Sequence, residues 1–324
     1  MTVLTVRDER GLVAAAQAGD ERAFRELVEP YRRVLEVHCY RMLGSRHDAE
    51  DLVQETLLRA WRSLERFERR ASVSTWLYRI ATNACLDEIE RRPRRAEPAI
   101  EPYPDERVAE AALTAPVADP AARYALREGR ELAMLTASQR LPGRQRAVLI
   151  LRDVLGWTGP EVAELLETTV AAVNGALQRA RATVEDVVPT PSARAVRPRS
   201  AEAQLLSRYV DAWERQDIDA LVALLREDAV LTMPPEASVV GAAALRDFWG
   251  TASCGVPSQR VLRATWANGR PAIAFYERDG APHRLLVLES DASGAIGALH
   301  AFVVDDMAAF APPPPRLYRS LPPE

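Results

Sequence analysis

Residues 141–184 carry the pattern that most restricts how this chain can fold. Thr158, Pro160 and Glu161 have the spacing of a capping box with proline in the first helical turn, so a helix is predicted to begin there. The apolar pattern then breaks just before Thr169, which can cap a second helix. Two short helices joined in this way are typical of a helix-turn-helix, whose second helix lies in the DNA major groove. An ordinary pair of core helices has the same spacing.

Length and composition indicate a folded, multidomain protein. The chain has 324 residues, of which 48% are hydrophobic and 27% charged. Its net charge of −4 means that any nucleic-acid binding must come from local basic patches. The three cysteines show no C-x-x-C spacing, and no apolar run approaches the ~20 residues of a membrane span. We therefore expect a cytoplasmic protein that has no cofactor, metal site or membrane contact.

Changes in composition divide the chain into three folded segments, two linkers and a tail. The boundaries are 8–95 (helical), 96–123 (acidic, proline-rich linker), 124–188 (helical, with the helix-turn-helix), 189–200 (linker), 201–312 (helices, then strands) and 313–324 (tail). The helical pattern of the last folded segment runs to Ala229, and turn signals such as Asn268-Gly269 separate the later strands. An α+β domain with an antiparallel meander is expected there.

The segment 47–67 predicts a helix with one acidic stripe. The face opposite its apolar residues presents Asp51, Glu55 and Leu58, with Gln54 at the edge. Two carboxylates one turn apart beside an outward leucine suit docking on a basic protein surface. A solvated helix face would show the same pattern.

The segment 72–95 predicts a helix with a candidate nucleic-acid face. Trp76, Arg79 and Asn83 are expected together, away from the buried side. Such a set can stack on an unstacked base, pair with a phosphate and read a base edge. A half-buried tryptophan beside a run of surface charge is the plainer alternative.

Taken in order, DLVQET, STWLYRIATNACLDEIERR and LPGRQRAVLILRDVLGWTGPEVAELL resemble the extracytoplasmic-function (ECF) group of the sigma-70 family, over about residues 8–188. The resemblance implies a region 2 helical bundle and a region 4 helix-turn-helix. It also implies a subunit that binds the β′ and β subunits of core RNA polymerase and directs promoter recognition and −10 melting. The docking surface for β′ would be Asp51, Gln54, Glu55 and Leu58. The linker 96–123 would thread toward the polymerase active-site cleft.

The same resemblance assigns the two candidate DNA-binding surfaces to promoter elements. Trp76, Arg79 and Asn83 would capture the −10 element as single-stranded DNA. The −35 element would be read by residues on the second helix of the helix-turn-helix, namely Thr169, Asn174, Gln178, Arg179 and Arg181. Small residues such as Ala172 and Gly175 also face outward there, so few base-edge donors are present and a modest −35 preference is expected. The turn carries Glu167 where relatives usually have glycine.

Residues 201–312 resemble the SnoaL-like domain of the nuclear-transport-factor family, a cone-shaped α+β fold with a pocket. The candidate pocket residues are Tyr209, Trp213, Trp249, Trp266 and His300. The sequence pairs His300 with no carboxylate, so acid–base catalysis is not expected. The domain is expected to regulate the other two, through intramolecular contacts or a small-molecule ligand.

Two other functions fit parts of the chain. A helix-turn-helix transcription regulator would act without core polymerase and would need no docking stripe. A SnoaL-like cyclase or isomerase fused to a DNA-binding module would need a paired acid and base in its pocket.

Overall fold

A computed structural model describes most of the chain. It covers residues 6–69, 71–91, 101–107, 139–187, 199–233, 238–250 and 260–313. The helices expected in 124–138, most of both linkers and the tail from 314 lie outside the described residues. The chain divides into two compact units, one made of 1–101 with 107–188 and the other of 102–106 with 189–324.

The first unit is helical throughout its described part, as its sequence pattern predicts. Its elements are α1 (Val6–Gln17), α2 (Glu21–Leu43), α3 (Arg46–Ser63), a 3-10 turn (Leu64–Arg66), α4 (Val73–Arg91), α5 (Gly143–Leu149), a π-helical turn (Ile150–Val154), α6 (Gly159–Leu165) and α7 (Val170–Val187). Asp20 caps α2 by accepting hydrogen bonds from two backbone N–H groups, and Gly44 ends it with a φ of 74°. The core of the 6–91 part forms where α2, α3 and α4 pack together around Leu35 and Leu77.

The predicted helix-turn-helix is present as α6 and α7. Thr158 and Glu161 form the expected capping box, and the Thr169 hydroxyl accepts a hydrogen bond from the Ala172 N–H at 3.1 Å. Glu167 adopts a left-handed φ of 51°, so the turn keeps the conformation that glycine favours. A backbone hydrogen bond from Thr168 N to Ala163 O, at 2.9 Å, closes the turn.

The second unit is α+β, and its sheet differs from the expected meander in one respect. Its elements are α8 (Arg199–Glu214), α9 (Ile218–Val222), β1 (Leu225–Thr232), β2 (Val239–Val240), α10 (Ala242–Gly250), β3 (Arg260–Ala267), β4 (Arg270–Glu277), β5 (Pro282–Ser290), β6 (Ile296–Phe302) and a 3-10 turn (Met307–Ala309). The sheet order is β2-β1-β6-β5-β4-β3. Strands β3 to β6 pair antiparallel as predicted, but β1 pairs with β6 in parallel, so the sheet is mixed.

The prediction of helix through Ala229 is therefore wrong for residues 225–229. Leu221, Leu224 and Leu225 have helical spacing, but the chain extends from Leu225 because pairing with β6 satisfies its backbone and buries Ala229 and Leu231. Pairing between distant segments outweighs local periodicity here.

Both faces of this sheet are covered. The inner face, which includes Ile273, Phe275 and Leu286, packs on the apolar side of α8. The outer face, which includes Tyr276 and Val287, packs on the segment around Met307 and Phe310. The alternation of residues along β4 and β5 thus separates two small cores. No helix among the described residues combines the length and apolar character needed to cross a membrane.

Candidate nucleic-acid interface and partner surfaces

The acidic stripe on α3 lies at the surface, as expected. Asp51, Gln54 and Leu58 are exposed, and Leu58 keeps 51% of its accessible surface. Glu55 is half-buried, because its carboxylate accepts a hydrogen bond from Arg59 at 2.9 Å. The stripe therefore combines a carboxylate held by Arg59 with the more exposed Asp51, whose Oδ2 lies 3.6 Å from His47 Nε2, around one exposed apolar side chain.

Arg59 joins this stripe to α4, a contact that the sequence analysis missed. Its guanidinium donates to Glu55 Oε1 and to Asp87 Oδ2, each at 2.9 Å, and these hydrogen bonds raise the pKa of Arg59. The i,i+4 spacing of Glu55 and Arg59 is the signal that could have revealed the first contact. A mostly acidic cavity of about 450 Å³ lies beside the pair and is also lined by Asp48 and Glu88.

Trp76 is not exposed, so the expected outward position of this side chain is wrong. Its indole is 4% exposed and stacks on Phe67, with ring centroids 4.7 Å apart and planes at 28°. Burial of two aromatic faces against each other outweighs the helical pattern that predicts an outward tryptophan. Arg79 and Asn83 are exposed as expected.

A cavity of about 290 Å³ places Trp76 and Arg79 side by side, whereas Asn83 does not line it. Arg66 and Arg69 line the same cavity, and both lie in the loop after α3 that sequence reasoning left out. Two carboxylates, from Glu68 and Glu164, and the ring of Phe67 also line it, so the cavity is mixed in charge and partly aromatic.

The second helix of the helix-turn-helix presents a polar outer face. The predicted residues Thr169, Asn174, Gln178, Arg179 and Arg181 are all exposed. Two of them are engaged within the chain, since Thr169 caps α7 and Arg181 pairs with both carboxylate oxygens of Asp153 at 2.9 and 2.6 Å. The side chains of Asn174, Gln178 and Arg179 thus remain the better-placed donors.

Within the first unit, the helix-turn-helix part packs against the 6–91 part. Arg146 is 6% exposed and donates to the Met42 carbonyl at the end of α2, as well as to Gln139 and Leu141. Carbonyls at a helix C-terminus carry partial negative charge, which suits a guanidinium. Burial lowers the pKa of Arg146 to about 10, so it is still charged at neutral pH.

An aromatic contact and a close approach extend this packing. The rings of Tyr78 on α4 and Trp157 meet edge to face, with centroids 5.5 Å apart. Gly143 faces α4 so closely that a Cβ there would lie 3.1 Å from Leu86 and 3.3 Å from Ile89. The two parts of the first unit are therefore in van der Waals contact.

A cavity of about 370 Å³ in the second unit contains part of the expected pocket. Tyr209, Trp213 and Trp249 line it as predicted, but Trp266 and His300 do not. Trp266 lies under the guanidinium of Arg199, 4.2 Å from its ring centre. His300 follows Leu299, an inner-face residue, so alternation along β6 turns it to the outer face.

His300 has a carboxylate neighbour that the sequence did not predict. Its Nε2 lies 4.0 Å from Glu289 Oε1, while burial lowers its pKa. At the cavity itself, His283 Nδ1 lies 3.1 Å from Glu277 Oε1. The histidine that lines the cavity is thus a different one from the residue chosen by sequence.

Residues 102–106, part of the expected linker, belong to the second unit. The Tyr103 side chain is 1% exposed, and its backbone exchanges hydrogen bonds with Asn268, from Tyr103 N to Asn268 Oδ1 at 3.2 Å and from Asn268 N to Tyr103 O at 3.0 Å. Asp105 accepts from Gly269 N at 2.7 Å and lies 3.5 Å from Arg199. We call residues 102–106 the linker clasp. The sequence signal for the linker clasp is an aromatic residue, Tyr103, between two prolines.

Comparison with known proteins gives a consistent result along the chain. Residues 27–95 match Sigma-70 region 2, residues 131–184 match Sigma-70 region 4, and residues 206–313 match the SnoaL-like domain. The crystal structure of the Mycobacterium tuberculosis extracytoplasmic function sigma factor SigJ has the same fold, with a TM-score of 0.57 at 24% identity, covering 87% of this chain and 96% of that one.

Two relatives are similar to this chain in sequence. The ECF RNA polymerase sigma factor SigW of Bacillus subtilis is 31% identical over 175 residues, which is 52% of this chain and 90% of the relative. The ECF RNA polymerase sigma factor SigG of Mycobacterium tuberculosis is 44% identical over 294 residues, which is 82% of this chain and 77% of the relative. With region 2, region 4 and the SnoaL-like domain in the same order, the chain belongs to the ECF RNA polymerase sigma factors.

Proposed function

We propose that this chain binds core RNA polymerase and directs it to promoters, where it melts the −10 element to start transcription. The observation that carries the proposal is the pairing, in one helical unit, of an exposed acidic stripe on α3 with the polar outer face of α7. Separate surfaces are thus available for a protein partner and for duplex DNA. Such a protein would act in the cytoplasm, with the polymerase.

The docking surface for the β′ subunit would be Asp51, Gln54, Glu55 and Leu58. The exposed leucine supplies apolar area, and the carboxylates would meet basic groups on the partner. Arg59 would act as a positioning residue, because it holds Glu55 against α4 through Asp87.

The single-stranded −10 element would be bound around Trp76, Arg79 and Asn83. Since Trp76 is buried against Phe67, a base would reach it only if that stack opened or if the base entered the cavity beside Arg79. The −35 duplex would be read by Asn174, Gln178 and Arg179, with Arg181 held by Asp153 and Thr169 acting as a cap. Because α7 presents few donors for base edges, we expect only a modest sequence preference at the −35 element.

The described arrangement of the first unit would have to open on the promoter. Elements about 25 base pairs apart lie about 85 Å apart on B-DNA, at about 3.4 Å per base pair. Tyr78 and Trp157, by contrast, are in ring contact. The packed form is therefore proposed to be the closed form of the protein.

Gly143→Gln is expected to favour the open form. The new side chain would clash with Leu86 and Ile89 on α4, while glutamine is a better helix former than glycine, so α5 itself keeps its stability. Overpacking costs about 1–3 kcal/mol, and the apparent Kd for core polymerase should fall by about 5-fold or more. Small-angle scattering should show a larger radius of gyration.

Gly11→Gln is the matched control, because nothing lies within 4 Å of a Cβ at that position of α1. It should leave both the scattering curve and the Kd unchanged. A Gly143→Gln protein with wild-type dimensions and affinity would contradict the closed form.

The SnoaL-like domain is proposed to regulate transcription rather than to catalyse a reaction, and the linker clasp supplies the means. A linker that threads the polymerase cannot at the same time keep Tyr103 buried against the β3–β4 turn. The clasp would therefore keep the linker from entering the polymerase until the contacts of Tyr103 with the β3–β4 turn are broken.

Replacing Tyr103 and Asp105 together by alanine is expected to raise the yield of run-off transcript by about 5-fold or more. Loss of a buried aromatic side chain costs about 3–5 kcal/mol, and Asp105→Ala also removes the bonds to Gly269 and Arg199. Glu106→Ala, an exposed change in the same segment, should leave the yield unchanged. An unaltered yield in the double variant would rule out the clasp as a regulator.

Reconstitution with core polymerase tests the main proposal. The full chain should make core initiate at one site of a promoter selected from a random library. A chain that binds promoter DNA but gives no transcript with core would be a helix-turn-helix regulator. A chain that does neither, yet converts a small molecule through His283 and Glu277, would be a cyclase or isomerase.

A further inference from the structure

The cavity beside Trp76 is lined in part by one short stretch of loop. Four consecutive residues, Arg66, Phe67, Glu68 and Arg69, contribute to the lining. They lie between the end of α3 and the start of α4, and we call residues 64–69 the α3–α4 loop. Because neighbouring residues of one loop line the cavity, the course of the loop backbone sets the shape of the space beside Trp76.

The α3–α4 loop has a backbone conformation that its own residues do not favour. Arg69 has a φ of 58°, in the left-handed region that is costly for a residue with a Cβ. Within the loop, the Leu64 carbonyl accepts a hydrogen bond from Phe67 N at 3.0 Å, which closes a 3-10 turn. Backbone strain persists only where the surrounding structure holds it, and it is concentrated at functional sites. The loop therefore needs support from other elements.

Gln17, the last residue of α1, supplies part of that support. Its Nε2 donates to the Leu64 carbonyl at 3.0 Å and to the Phe67 carbonyl at 3.1 Å. A side-chain amide has two N–H donors, so each of the two carbonyls can take one. Phe67 in turn stacks on Trp76, so a single residue separates the Gln17 amide from the aromatic ring in the cavity.

Helix α1 is itself held on the helical bundle, so Gln17 has a defined position. Near the start of α1, Glu9 Oε2 accepts a hydrogen bond from the Tyr31 hydroxyl of α2 at 3.2 Å. Further along, the side chains of Val13 and Ala16 are buried. Because α1 is held in place, the two hydrogen bonds from Gln17 fix the α3–α4 loop rather than follow its movements.

We propose that Gln17 is a positioning residue for the −10 site. Its amide holds the α3–α4 loop in the course that forms the cavity beside Trp76, and thereby determines which unpaired base of the −10 element fits there. Selection of the −10 sequence then depends on α1, a helix that precedes the residues 27–95 of region 2. This inference rests on the proposed binding of the −10 element around Trp76.

The test measures how the full chain, assembled with core polymerase, binds two DNA duplexes that each contain an unpaired −10 element. In the first, the element is one that the wild-type holoenzyme selects from a random library. The second differs only at the base where that selection is strongest. Gln17→Leu removes both donors and should weaken binding of the selected DNA by about 5-fold or more. Binding of the altered DNA should weaken by no more than about 2-fold, because phosphate contacts carry no sequence information.

Two further variants separate the role of the donors from that of the helix. Gln17→Lys should keep the wild-type preference for the selected DNA, because an ammonium has three N–H donors and can still donate to both carbonyls. Ala14→Leu is the matched control, since it adds a leucine at an exposed position of α1, and it should also keep the preference. All three variants should bind core polymerase with a Kd within about 2-fold of the wild type.

An undiminished preference for the selected DNA in Gln17→Leu would overturn the inference. An equal loss of affinity for both DNAs would overturn it as well, since Gln17 would then only stabilise the fold. If Gln17→Leu does not fold, Gln17→Glu removes the donors in a side chain of the same shape and should give the same loss of preference. A wild-type holoenzyme that does not distinguish the two DNAs would contradict the proposed −10 function itself, and this inference with it.

Discussion

Charge reversal of the α3 stripe, as Asp51→Arg with Glu55→Arg, is expected to weaken binding of core polymerase by at least about 100-fold and to abolish run-off transcription. Asp51 is exposed and Glu55 is half-buried beside exposed Leu58, so both changes alter the surface rather than the core. Two attractive contacts with a basic partner would become repulsive, and like-charge contacts across an interface cost several kcal/mol. Arg59 would lose Glu55 but keep Asp87.

The matched control is Glu26→Arg with Glu29→Arg, which makes the same change of charge on exposed positions of α2. It should leave the Kd within about 3-fold of the wild type, as expected for charges away from an interface. If both double variants lose affinity equally, net charge rather than the stripe determines binding. If the α3 variant still supports run-off transcription, the docking surface lies elsewhere.

Between pH 7 and pH 5 the first unit is expected to lose about 2 kcal/mol of stability through His38 alone. This side chain is buried between α2 and α4, and its Nε2 lies 2.9 Å from the Thr82 hydroxyl. Burial, with a smaller effect of Arg41, lowers the pKa of His38 from 6.5 to about 3. At pH values between about 3 and 6.5, His38 is therefore protonated in the unfolded chain but not in the folded chain.

The sign follows from that difference in proton uptake. A depressed pKa contributes stability that is fully present above about pH 6.5 and is lost as the pH falls toward about 3, at up to about 1.4 kcal/mol per pH unit. The whole window corresponds to about 4–5 kcal/mol. Because two units unfold here, the measurement is the urea midpoint of the transition that reports the helical unit.

His38→Gln removes the titrating group and keeps a donor near Thr82. Its urea midpoint should fall less between pH 7 and pH 5 than that of the wild type, by the equivalent of about 2 kcal/mol. His47→Gln, at an exposed position on α3, should behave as the wild type does. Equal pH dependence in His38→Gln and the wild type would mean that His38 is protonated in the folded protein.

The parts of the fold that follow local rules could be predicted from the sequence. Thr158 and Glu161 cap α6, and Asn268-Gly269 makes the β3–β4 turn, because each depends on residues only a few positions apart. The exposure of Asp51 and of Gln178 follows from helical period in the same way. Their roles in binding polymerase and DNA stay predictions.

The errors arise where distant segments meet. Trp76 has the spacing of an outward residue, but Phe67 covers its ring. Residues 225–229 continue a helical pattern, but pairing with β6 makes them part of strand β1. His300 is the more obvious histidine by sequence, whereas strand register brings His283 to the cavity.

The sequence by itself determined the order of the domains, the helix-turn-helix and the exposure of Asp51 and Gln178, since caps, turns and periodicity are local properties. Only the tertiary structure decided that Tyr103 and Asp105 leave the linker for the β3–β4 turn, that Arg146 joins the two helical parts, and that Arg260 and Arg284 meet at one cavity. Each of these contacts joins residues far apart in the chain, and their free energy comes from burial and hydrogen bonding that exist only once the chain has folded.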